Sequence, residues 1–293
     1  MTMRDDFCAF ILSHGRPDRV YTYDTLMRAG YTGKVYVVID DEDEAAGEYR
    51  QRFGDKVLQF CKADMDARID TGDNFDGRNS TIWPRAAFWG LAETVGCKYF
   101  VQLDDDYTNI EYRFDKFGNG KYKRVVKTCD AMFDELLNFH IATPTVSVAM
   151  SQGGDFIGGA GADKNRLRRK AMNVFFCSTD RPFILFGRRN EDVNAYVLGS
   201  LRGELFFTVM SAKIVQMQTQ KNPGLITDSY LESGTYVKSF YSVLYAPSCI
   251  KIGMMGDPRS GNYRIHHKIN WHHTAPKILD ESYRKASHGP TRT

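Results

Sequence analysis

The strongest constraint on the fold is a regular alternation of apolar runs and helix-like segments over the first hundred residues. The apolar runs are FCAFILS, KVYVVIDD, KVLQFCK and KYFVQLDDD, which begin at residues 7, 34, 56 and 98. Helix-like segments lie between them, RVYTYDTLMRAG before the second run and STIWPRAAFWGLAETVG before the fourth. Apolar runs that alternate with helices are typical of a parallel sheet covered on both faces. The sequence therefore predicts an α/β fold, with Ser80 as N-cap and Gly96 as the stop of the second helix.

Polar side chains follow three of these four strands. They are His14, Gly15 and Arg16, then Asp40 and Asp41, and finally the D-x-D-containing triplet Asp104, Asp105 and Asp106. Parallel strands share one edge for their carboxyl ends, and ligands of α/β sheets bind there, so we expect these clusters to converge.

The aspartate triplet places three like charges side by side at the end of an apolar strand. Adjacent carboxylates repel one another and are costly to remove from water. A divalent cation bridged to a diphosphate would neutralise them, since carboxylate oxygens are good ligands for magnesium and manganese. The alternative is that the triplet only caps a surface turn.

The pattern becomes mixed after residue 106. We expect helices at CDAMFDELLNF and NEDVNAYVLGSLRG, and strands at TVSVAMSQ, NVFFCST, PFILFG, LFFTVMSAKIVQ and SFYSVLYAPSCIKIGMM. A glycine-rich segment, GGDFIGGAGADKNRLRRK, interrupts this series. Because the chain shows no repeat, linker or composition shift, we predict a single domain over residues 1–293.

Composition indicates a folded protein of a reducing compartment. Hydrophobic residues make up 42% of the chain, which excludes disorder of the whole chain. The six cysteines contain no C-x-x-C pair, so we expect free thiols. The apolar stretch Phe7 to Leu12 is too short for a signal peptide, and no run approaches the ~18 apolar residues of a membrane span. We therefore expect a cytoplasmic location without membrane contact.

The first half resembles the nucleotide-sugar-dependent glycosyltransferases of the GT-A fold. The resemblance rests on SHGRP, VVIDDED, DGRNSTIWPRAAFWGLAE and YFVQLDDD, which occur in this order over roughly residues 7 to 110. It implies a GT-A-like, mostly parallel twisted sheet flanked by helices, with a donor half of about 1–110 and a mixed acceptor half of about 111–293. It also implies a UDP-sugar as donor and a divalent metal, Mn or Mg, as cofactor.

The resemblance also assigns roles to the polar residues of the donor half. The donor-binding set is His14, Arg16, Asp40, Asp41, Arg78, Asn79, Asp104 and Asp105. Within it, Asp40 or Asp41 would hold the nucleoside, and Arg78 and Asn79 would lie near the base and diphosphate. Asp104 would contact the ribose and share the metal with Asp106, whereas Asp105 receives no separate role.

Two of the arginines have alternative interpretations from their chemistry alone. The planar fork of Arg78 suits a phosphate or a base edge, but a salt bridge to Asp76 would use the same group. Arg16 can reach a diphosphate, yet the segment GRPD is also an ordinary turn.

Glu191 and Asp192 are the candidate catalytic residues of the second half. We expect Asp192 to be the general base that deprotonates an acceptor hydroxyl, with Glu191 assisting, as in many inverting GT-A enzymes. The alternative is that both acids only favour the start of a helix through its dipole.

Histidines near the end of the chain are candidate metal ligands. By the same resemblance a late histidine completes the metal site, and His272 and His266 are the preferred ones. The alternative is a set of exposed histidines beside Trp271. The spacing does not match a separate zinc site.

Basic residues are concentrated in the glycine-rich segment and near Glu191. They are Lys164, Arg166, Arg168, Arg169 and Lys170, together with Arg188 and Arg189. Such a group suits a polyanionic acceptor whose phosphates it neutralises, although a charge run is also typical of a solvated face.

The segments RNEDVNAY and GGAGADKNRLRRK carry a narrower resemblance, to phage glycosyltransferases associated with TET-type oxygenases. This resemblance implies an acceptor in double-stranded DNA, the hydroxyl of hydroxymethylcytosine, extruded from the base stack. If the chain is phage-encoded, its location is the host cell cytoplasm.

The sequence thus predicts a metal-dependent glycosyltransferase that moves a hexose from a UDP-sugar to modified DNA. Two enzymatic alternatives are a glycosyltransferase acting on a polysaccharide or protein, and a nucleotidyltransferase. The absence of a glycine-rich phosphate loop after the first strand counts against the nucleotidyltransferase. A non-catalytic DNA-binding protein is the alternative from a different class.

Overall fold

The first hundred residues form the alternating strands and helices that the sequence predicts. The computed structural model describes residues 2–114, 120–156, 174–217, 236–257 and 262–274. Its first strands are β1 (Phe7–Leu12), β2 (Lys34–Asp40), β3 (Val57–Phe60) and β4 (Tyr99–Asp104). Its first helices are α1 (Tyr21–Arg28), α2 (Ala46–Phe53), α3 (Lys62–Asp66) and α4 (Ile82–Thr94). The four strands pair in parallel, so their carboxyl ends lie along one edge.

The second half completes a large mixed sheet. Its strands are β5 (Tyr107–Phe114), β6 (Tyr122–Val125), β7 (Thr145–Ser151), β8 (Phe175–Ser178) and β9 (Leu205–Gln216), and its helices are α5 (Cys129–Ala142) and α6 (Glu191–Leu201). Within the described ranges, nine strands form one sheet in the order β3-β2-β1-β4-β8-β7-β9-β5-β6. Strand β8 runs antiparallel to β4 and β7, and β5 runs antiparallel to β9 and β6. The α/β prediction is confirmed, and the parallel part is concentrated in the first half.

A separate hairpin and two helices follow the sheet. They are α7 (Tyr236–Tyr245), β10 (Ile250–Asp257), β11 (Asn262–Ile269) and α8 (Trp271–Thr274), and β10 pairs with β11 in an antiparallel hairpin. Short 3-10 turns occupy Pro17–Arg19, Gly54–Lys56 and Gly153–Phe156. No helix in the described part of the chain has the length and apolarity needed to cross a membrane.

Three local predictions differ from the structure. Thr81 rather than Ser80 occupies the N-cap position of α4, but its hydroxyl donates to Glu191 and makes no capping hydrogen bond. The Ser80 hydroxyl donates to the carbonyl of Arg188 and accepts from the Ile82 N–H at 3.4 Å. The predicted strand at 182–187 is irregular, and near its end the backbone N–H groups of Gly187 and Arg188 donate to the carbonyls of Asp70 and Thr71. The predicted strand at 239–255 begins as helix α7, whose apolar residues recur with helical spacing. Strands β5, β6 and β11 were not predicted.

Strand β1 is buried on both faces and forms the centre of the core. Phe7 and Ile11 lie in a cluster with α1 and α5, whereas Cys8 and Phe10 lie in a second cluster with α4. Alternate side chains of a strand point to opposite faces, so one strand joins the two clusters. The polar residues after β1 are therefore held by a rigid support.

Candidate active site

The polar ends of β1, β2 and β4 meet, as the strand pattern predicts. The Ser13 hydroxyl donates to the Asp105 carboxylate at 2.6 Å, which joins the end of β1 to that of β4. His14 Nδ1 lies 2.8 Å from Asp40 Oδ2, which joins β1 to β2. We call this edge of the sheet, with Ser13, His14, Asp40 and Asp104 to Asp106, the rim.

Asp105 is neutralised by an arginine of the first loop. Arg16 donates through Nε and one terminal nitrogen to the two carboxylate oxygens of Asp105, each at 2.7 Å. Burial raises the pKa of Asp105, although Arg16 and the Ser13 hydroxyl oppose that effect. Arg16 was predicted as a donor-binding residue; the structure directs these two nitrogens at Asp105, so its first role is to hold the triplet.

Asp104 is neutralised by a second arginine, which comes from helix α4. A terminal nitrogen of Arg85 donates to Asp104 Oδ1 at 2.5 Å, and Arg85 Nε lies 3.3 Å from Glu191 Oε1. The Arg85 side chain is buried, so this guanidinium joins β4 to the start of α6 inside the protein. Burial raises the pKa of Asp104 to about 6, partly offset by Arg85.

Asp106 has no comparable partner. Gln216 donates to its Oδ2 at 3.1 Å, whereas its buried Oδ1 has no hydrogen-bond partner among the described residues. Burial, followed by repulsion from Asp104 and Asp105, raises the pKa of Asp106 to about 7. Asp106 Oδ1 is therefore a buried carboxylate oxygen to which no described group donates a hydrogen bond.

The donor set at this point fits a hard divalent cation. Asp104 and Asp106 flank the arginine-bound Asp105 in the sequence. The Oδ1 atom of Asp106, which has no hydrogen-bond partner among the described residues, is of the type that Mn²⁺ and Mg²⁺ bind. Within the described residues no three His, Cys, Asp or Glu side chains converge as a complete metal site. A cation held here would take its remaining ligands from elsewhere, as Mg²⁺ commonly does from substrate phosphates.

The two acids at the start of α6 have different surroundings. Glu191 Oε1 accepts a hydrogen bond from Thr81 and lies beside Arg85. Asp192 is also buried, but it has no ion pair or side-chain hydrogen bond among the described residues. Burial, then the charges of Asp105 and Glu191, and then that of Asp192 raise the pKa of Asp104, whereas Arg85 lowers it. Asp192 therefore lies close to the triplet with its carboxylate uncommitted.

A left-handed residue sets the direction of α6. Asn190 has φ of 57°, and it is the one non-glycine residue with positive φ in the described part of the chain. Asparagine tolerates this conformation better than most residues. Its amide nitrogen donates to the Lys238 carbonyl at 3.0 Å and to the Ser242 hydroxyl at 2.9 Å, and lies 3.3 Å from His267 Nδ1.

Asp40 is a supporting residue in this structure. Its Oδ1 lies 3.0 Å from Nζ of the buried Lys62, and its Oδ2 contacts His14. Burial opposes ionisation of Asp40, but the hydrogen bonds from His14 and Lys62 outweigh it and lower the pKa. Asp41 is exposed and accepts the Lys62 backbone N–H, so of the two aspartates it presents more open carboxylate surface.

Arg78 and Asn79 lie on the loop that precedes α4. Arg78 Nε is 3.3 Å from Glu42 Oε1, with both side chains partly exposed, so it forms a salt bridge, as in the alternative interpretation, but with Glu42 rather than Asp76. Asn79 is exposed, and its carbonyl accepts a hydrogen bond from Arg189 at 2.6 Å. Both predicted residues therefore lie at the surface between β2 and α6.

Arg188 organises that loop from within. Its Nε lies 2.8 Å from Asp73 Oδ2, it donates to the carbonyls of Phe75 and Gly77, and its guanidinium lies 5.3 Å from the Trp83 ring centroid. The side chain is buried. Arg188 therefore holds residues 73–77 in this structure, and its contact with a polyanionic acceptor stays a prediction.

The remaining predicted residues are separate from the triplet or are not described. His266 lies on β11 opposite Gly253, and His272 lies exposed in α8; neither forms a described contact with Asp104 or Asp106. The predicted basic segment lies outside the described residues, namely Lys164, Arg166, Arg168, Arg169 and Lys170.

Sequence reasoning missed Arg85, Lys62 and Asp73. The signal for Arg85 was an arginine within the otherwise apolar stretch IWPRAAFWGLA, since a cation on a buried helix face needs a buried acid. Lys62 begins the short helix α3 and Asp73 lies in a polar loop, and neither carries a comparable signal.

A family model described as TET-Associated Glycosyltransferase matches residues 7–224. No curated protein matches the chain.

Three solved structures illustrate the structural similarities. One is glucosyl-3-phosphoglycerate synthase from Mycobacterium tuberculosis in complex with Mn²⁺, UDP and phosphoglyceric acid, at 10% identity and a TM-score of 0.48, covering 90% of this chain and 87% of that one. A structure of the same enzyme with Mn²⁺, UDP-glucose and glycerol 3-phosphate has 10% identity and a TM-score of 0.47, with coverages of 85% and 84%. GalNAc-T7 with UDP, GalNAc and Mn²⁺ has 10% identity and a TM-score of 0.38, with coverages of 72% and 43%.

Proposed function

The chain belongs to the TET-associated glycosyltransferase family, and from this premise we propose that it moves a hexose from a UDP-sugar to the hydroxyl of hydroxymethylcytosine in DNA. The glycosyltransferase class follows from the family. The nucleotide donor is supported by the polar rim, and the DNA acceptor by the family description and by the basic residues of the second half.

The observation that carries the proposal is the uneven neutralisation of the aspartate triplet. Asp104 and Asp105 each have an arginine partner, whereas Asp106 has none among the described residues. Asp104 and Asp106 are the residues that would hold Mn²⁺ or Mg²⁺. When bound, such a cation supplies positive charge that stabilises the departing diphosphate.

The nucleoside side of the donor is assigned to the end of β2 and the loop before α4. Asp41 and Asn79 are exposed and Arg78 is partly exposed, and these groups complement base and ribose edges and a phosphate. Asp40 and Arg16 support this site from below, because their polar atoms contact His14, Lys62 and Asp105.

We assign acceptor activation to Asp192. Its carboxylate takes the proton of the acceptor hydroxyl, while the hydroxyl oxygen bonds to the anomeric carbon and the bond from that carbon to the diphosphate oxygen breaks. Glu191 assists by fixing Arg85, since it receives the Thr81 hydrogen bond and faces the guanidinium. This division matches the free carboxylate of one acid and the committed carboxylate of the other.

A transfer assay tests this function directly. The protein is incubated with Mn²⁺ and each of several UDP-sugars, together with duplex DNA that contains hydroxymethylcytosine or ordinary cytosine, and the digested nucleosides are analysed by mass spectrometry. We expect one hexose on hydroxymethylcytosine alone, and transfer slower by about 10²- to 10⁴-fold with Asp192→Asn. Absence of transfer to the modified duplex, with continued hydrolysis of the UDP-sugar, would place the acceptor in another class, such as a polysaccharide or protein.

A further inference from the structure

The strand at one edge of the sheet is unusually exposed and basic. Every residue of β6 is exposed, and Lys121 and Lys127, which flank the strand, are exposed as well. Lysine on an edge strand commonly prevents pairing with other sheets. That explanation accounts for isolated lysines, but it does not account for the aromatic residues beside them.

An aromatic pair accompanies the cations of β6. Phe114 and Tyr122 are direct partners across β5 and β6, with ring centroids 6.2 Å apart, and they are 51% and 56% exposed. Lys121 Nζ lies 5.7 Å from the Tyr122 ring centroid. Exposed aromatic rings beside lysine and arginine are the combination that contacts nucleic-acid backbones and bases.

The opposite face of the same strands has an excess of positive charge. Arg113, Lys123 and Lys213 lie 3.9, 3.8 and 4.0 Å from the single buried carboxylate of Glu111. Burial lowers the pKa of Lys213, and Arg113 adds to this effect. Three cations therefore surround one acid on this face of the strands.

Strand β5 connects this edge to the aspartate triplet. It begins directly after Asp106 and ends at Phe114, which pairs with the first residue of β6. At about 3.3 Å per residue, the pairs between β5 and β6 lie roughly 17 to 26 Å from Asp106. One helical turn of duplex DNA spans about 34 Å, so this separation corresponds to between half a turn and one turn.

We propose that Phe114, Lys121, Tyr122, Lys123 and Arg124, here called the β6 edge, bind the phosphate backbone of duplex DNA that flanks the nucleotide in the active site. This inference rests on the proposed function, because the duplex is the expected carrier of the acceptor base. Lys121, Lys123 and Arg124 contact phosphates, and the aromatic pair contacts the adjoining sugar surface. Such contacts give no base-sequence specificity, but they position the duplex relative to the rim.

The test uses a triple variant, Lys121→Gln, Lys123→Gln and Arg124→Gln, and a matched control, Lys98→Gln, Arg202→Gln and Lys251→Gln. Both remove three exposed cations, and the control residues lie outside the β6 edge. Binding to unmodified duplex DNA is measured by fluorescence anisotropy over a series of salt concentrations. For the edge variant we expect at least a tenfold weaker affinity, and a salt slope smaller by about 2.7, from about 0.9 per phosphate contact.

The control variant is expected to bind like the wild type. Equal losses in the two variants would reduce the effect to net charge and overturn the inference, as would wild-type affinity in the edge variant. Binding to vesicles that contain phosphatidylserine, lost in the edge variant while DNA binding is retained, would assign the edge to a membrane surface and also overturn it.

A trinucleotide acceptor separates this inference from the proposed function, because three nucleotides are too short to reach the β6 edge from the rim. If the wild type glycosylates the modified trinucleotide and the edge variant still binds duplex normally, the edge assignment fails and the function stands. If duplex affinity depends on the β6 edge but no modified acceptor gains a sugar, the proposed acceptor is wrong, whereas the proposed DNA contact of the β6 edge is supported.

Discussion

Replacement of Asp106 by asparagine should stabilise the metal-free protein above neutral pH and abolish transfer. Burial and the neighbouring aspartates raise the pKa of Asp106 to about 7, from an ordinary value of 3.8. The native state therefore binds this proton more tightly than the unfolded chain does. The stability of the wild type therefore falls as pH rises from about 4 to about 7, because the Asp106 carboxyl ionises over this range. Asparagine does not ionise, so the variant avoids this loss.

The size of the effect follows from the same pKa difference. At 1.36 kcal/mol per pKa unit, ionised Asp106 costs the native state about 4 kcal/mol at pH 8. The advantage of the asparagine variant should grow from near zero below pH 4 to at most this value above pH 7. In a domain of this size the full amount corresponds to a rise in Tm of roughly 8 °C.

Thermal unfolding between pH 4 and pH 8 in the presence of a chelator measures the difference. Mn²⁺ together with UDP should then raise the Tm of the wild type, by the equivalent of about 2.7 kcal/mol at one hundred times the Kd, and leave the variant unchanged. Asp105→Asn is the matched control, and it should change stability in the opposite direction because it leaves the Arg16 guanidinium without its carboxylate.

Two results would refute this reasoning. One is an Asp106→Asn variant that is less stable than the wild type by more than 1 kcal/mol at pH 8. The other is an equal rise in Tm with Mn²⁺ and UDP in both proteins.

Three further substitutions test other parts of the site. Asp192→Asn should lower kcat by about 10² to 10⁴ without changing Tm or UDP affinity, and an unchanged kcat would remove Asp192 from catalysis. Arg85→Met should destabilise the fold by about 3 to 5 kcal/mol in urea unfolding, because Asp104 loses its buried partner; a loss below 1 kcal/mol would contradict that pairing. Arg188→Gln should raise the KM for the UDP-sugar more than it changes kcat, because the loop around Asp73 loses its anchor, whereas a change confined to DNA affinity would support Arg188 as an acceptor contact.

The rim was predictable because its residues follow directly from local patterns. The apolar runs before His14, Asp40 and Asp104 predicted parallel strands, and parallel strands bring their carboxyl ends together. No long-range information was needed for that step. The α/β class and the convergence of the polar ends were therefore accessible from the sequence.

The partners of these acids were not predictable, because they are fixed by tertiary packing. Arg85 contacts Glu191 from more than one hundred positions away, and Arg16 contacts Asp105 across a similar separation. In a sequence, an arginine that pairs with a distant acid cannot be distinguished from one that binds a ligand. For this reason the sequence predicted donor binding for Arg16 and acceptor binding for Arg188. Strand β6 was missed because its residues are all exposed and show no apolar alternation.

The hydrogen bonds of Asn190 limit where the chain can be cut when residues 7–224, the segment matched by the family model, are transferred or shortened. The family match ends at residue 224, whereas Lys238, Ser242 and His267, which surround the Asn190 amide, all come later in the chain. A chimera or fragment cut at the family boundary would keep both candidate catalytic acids yet strip the support from the turn that aims their helix. The unit to transfer in protein engineering is thus longer than the segment that the family model matches, and it includes the β10–β11 hairpin.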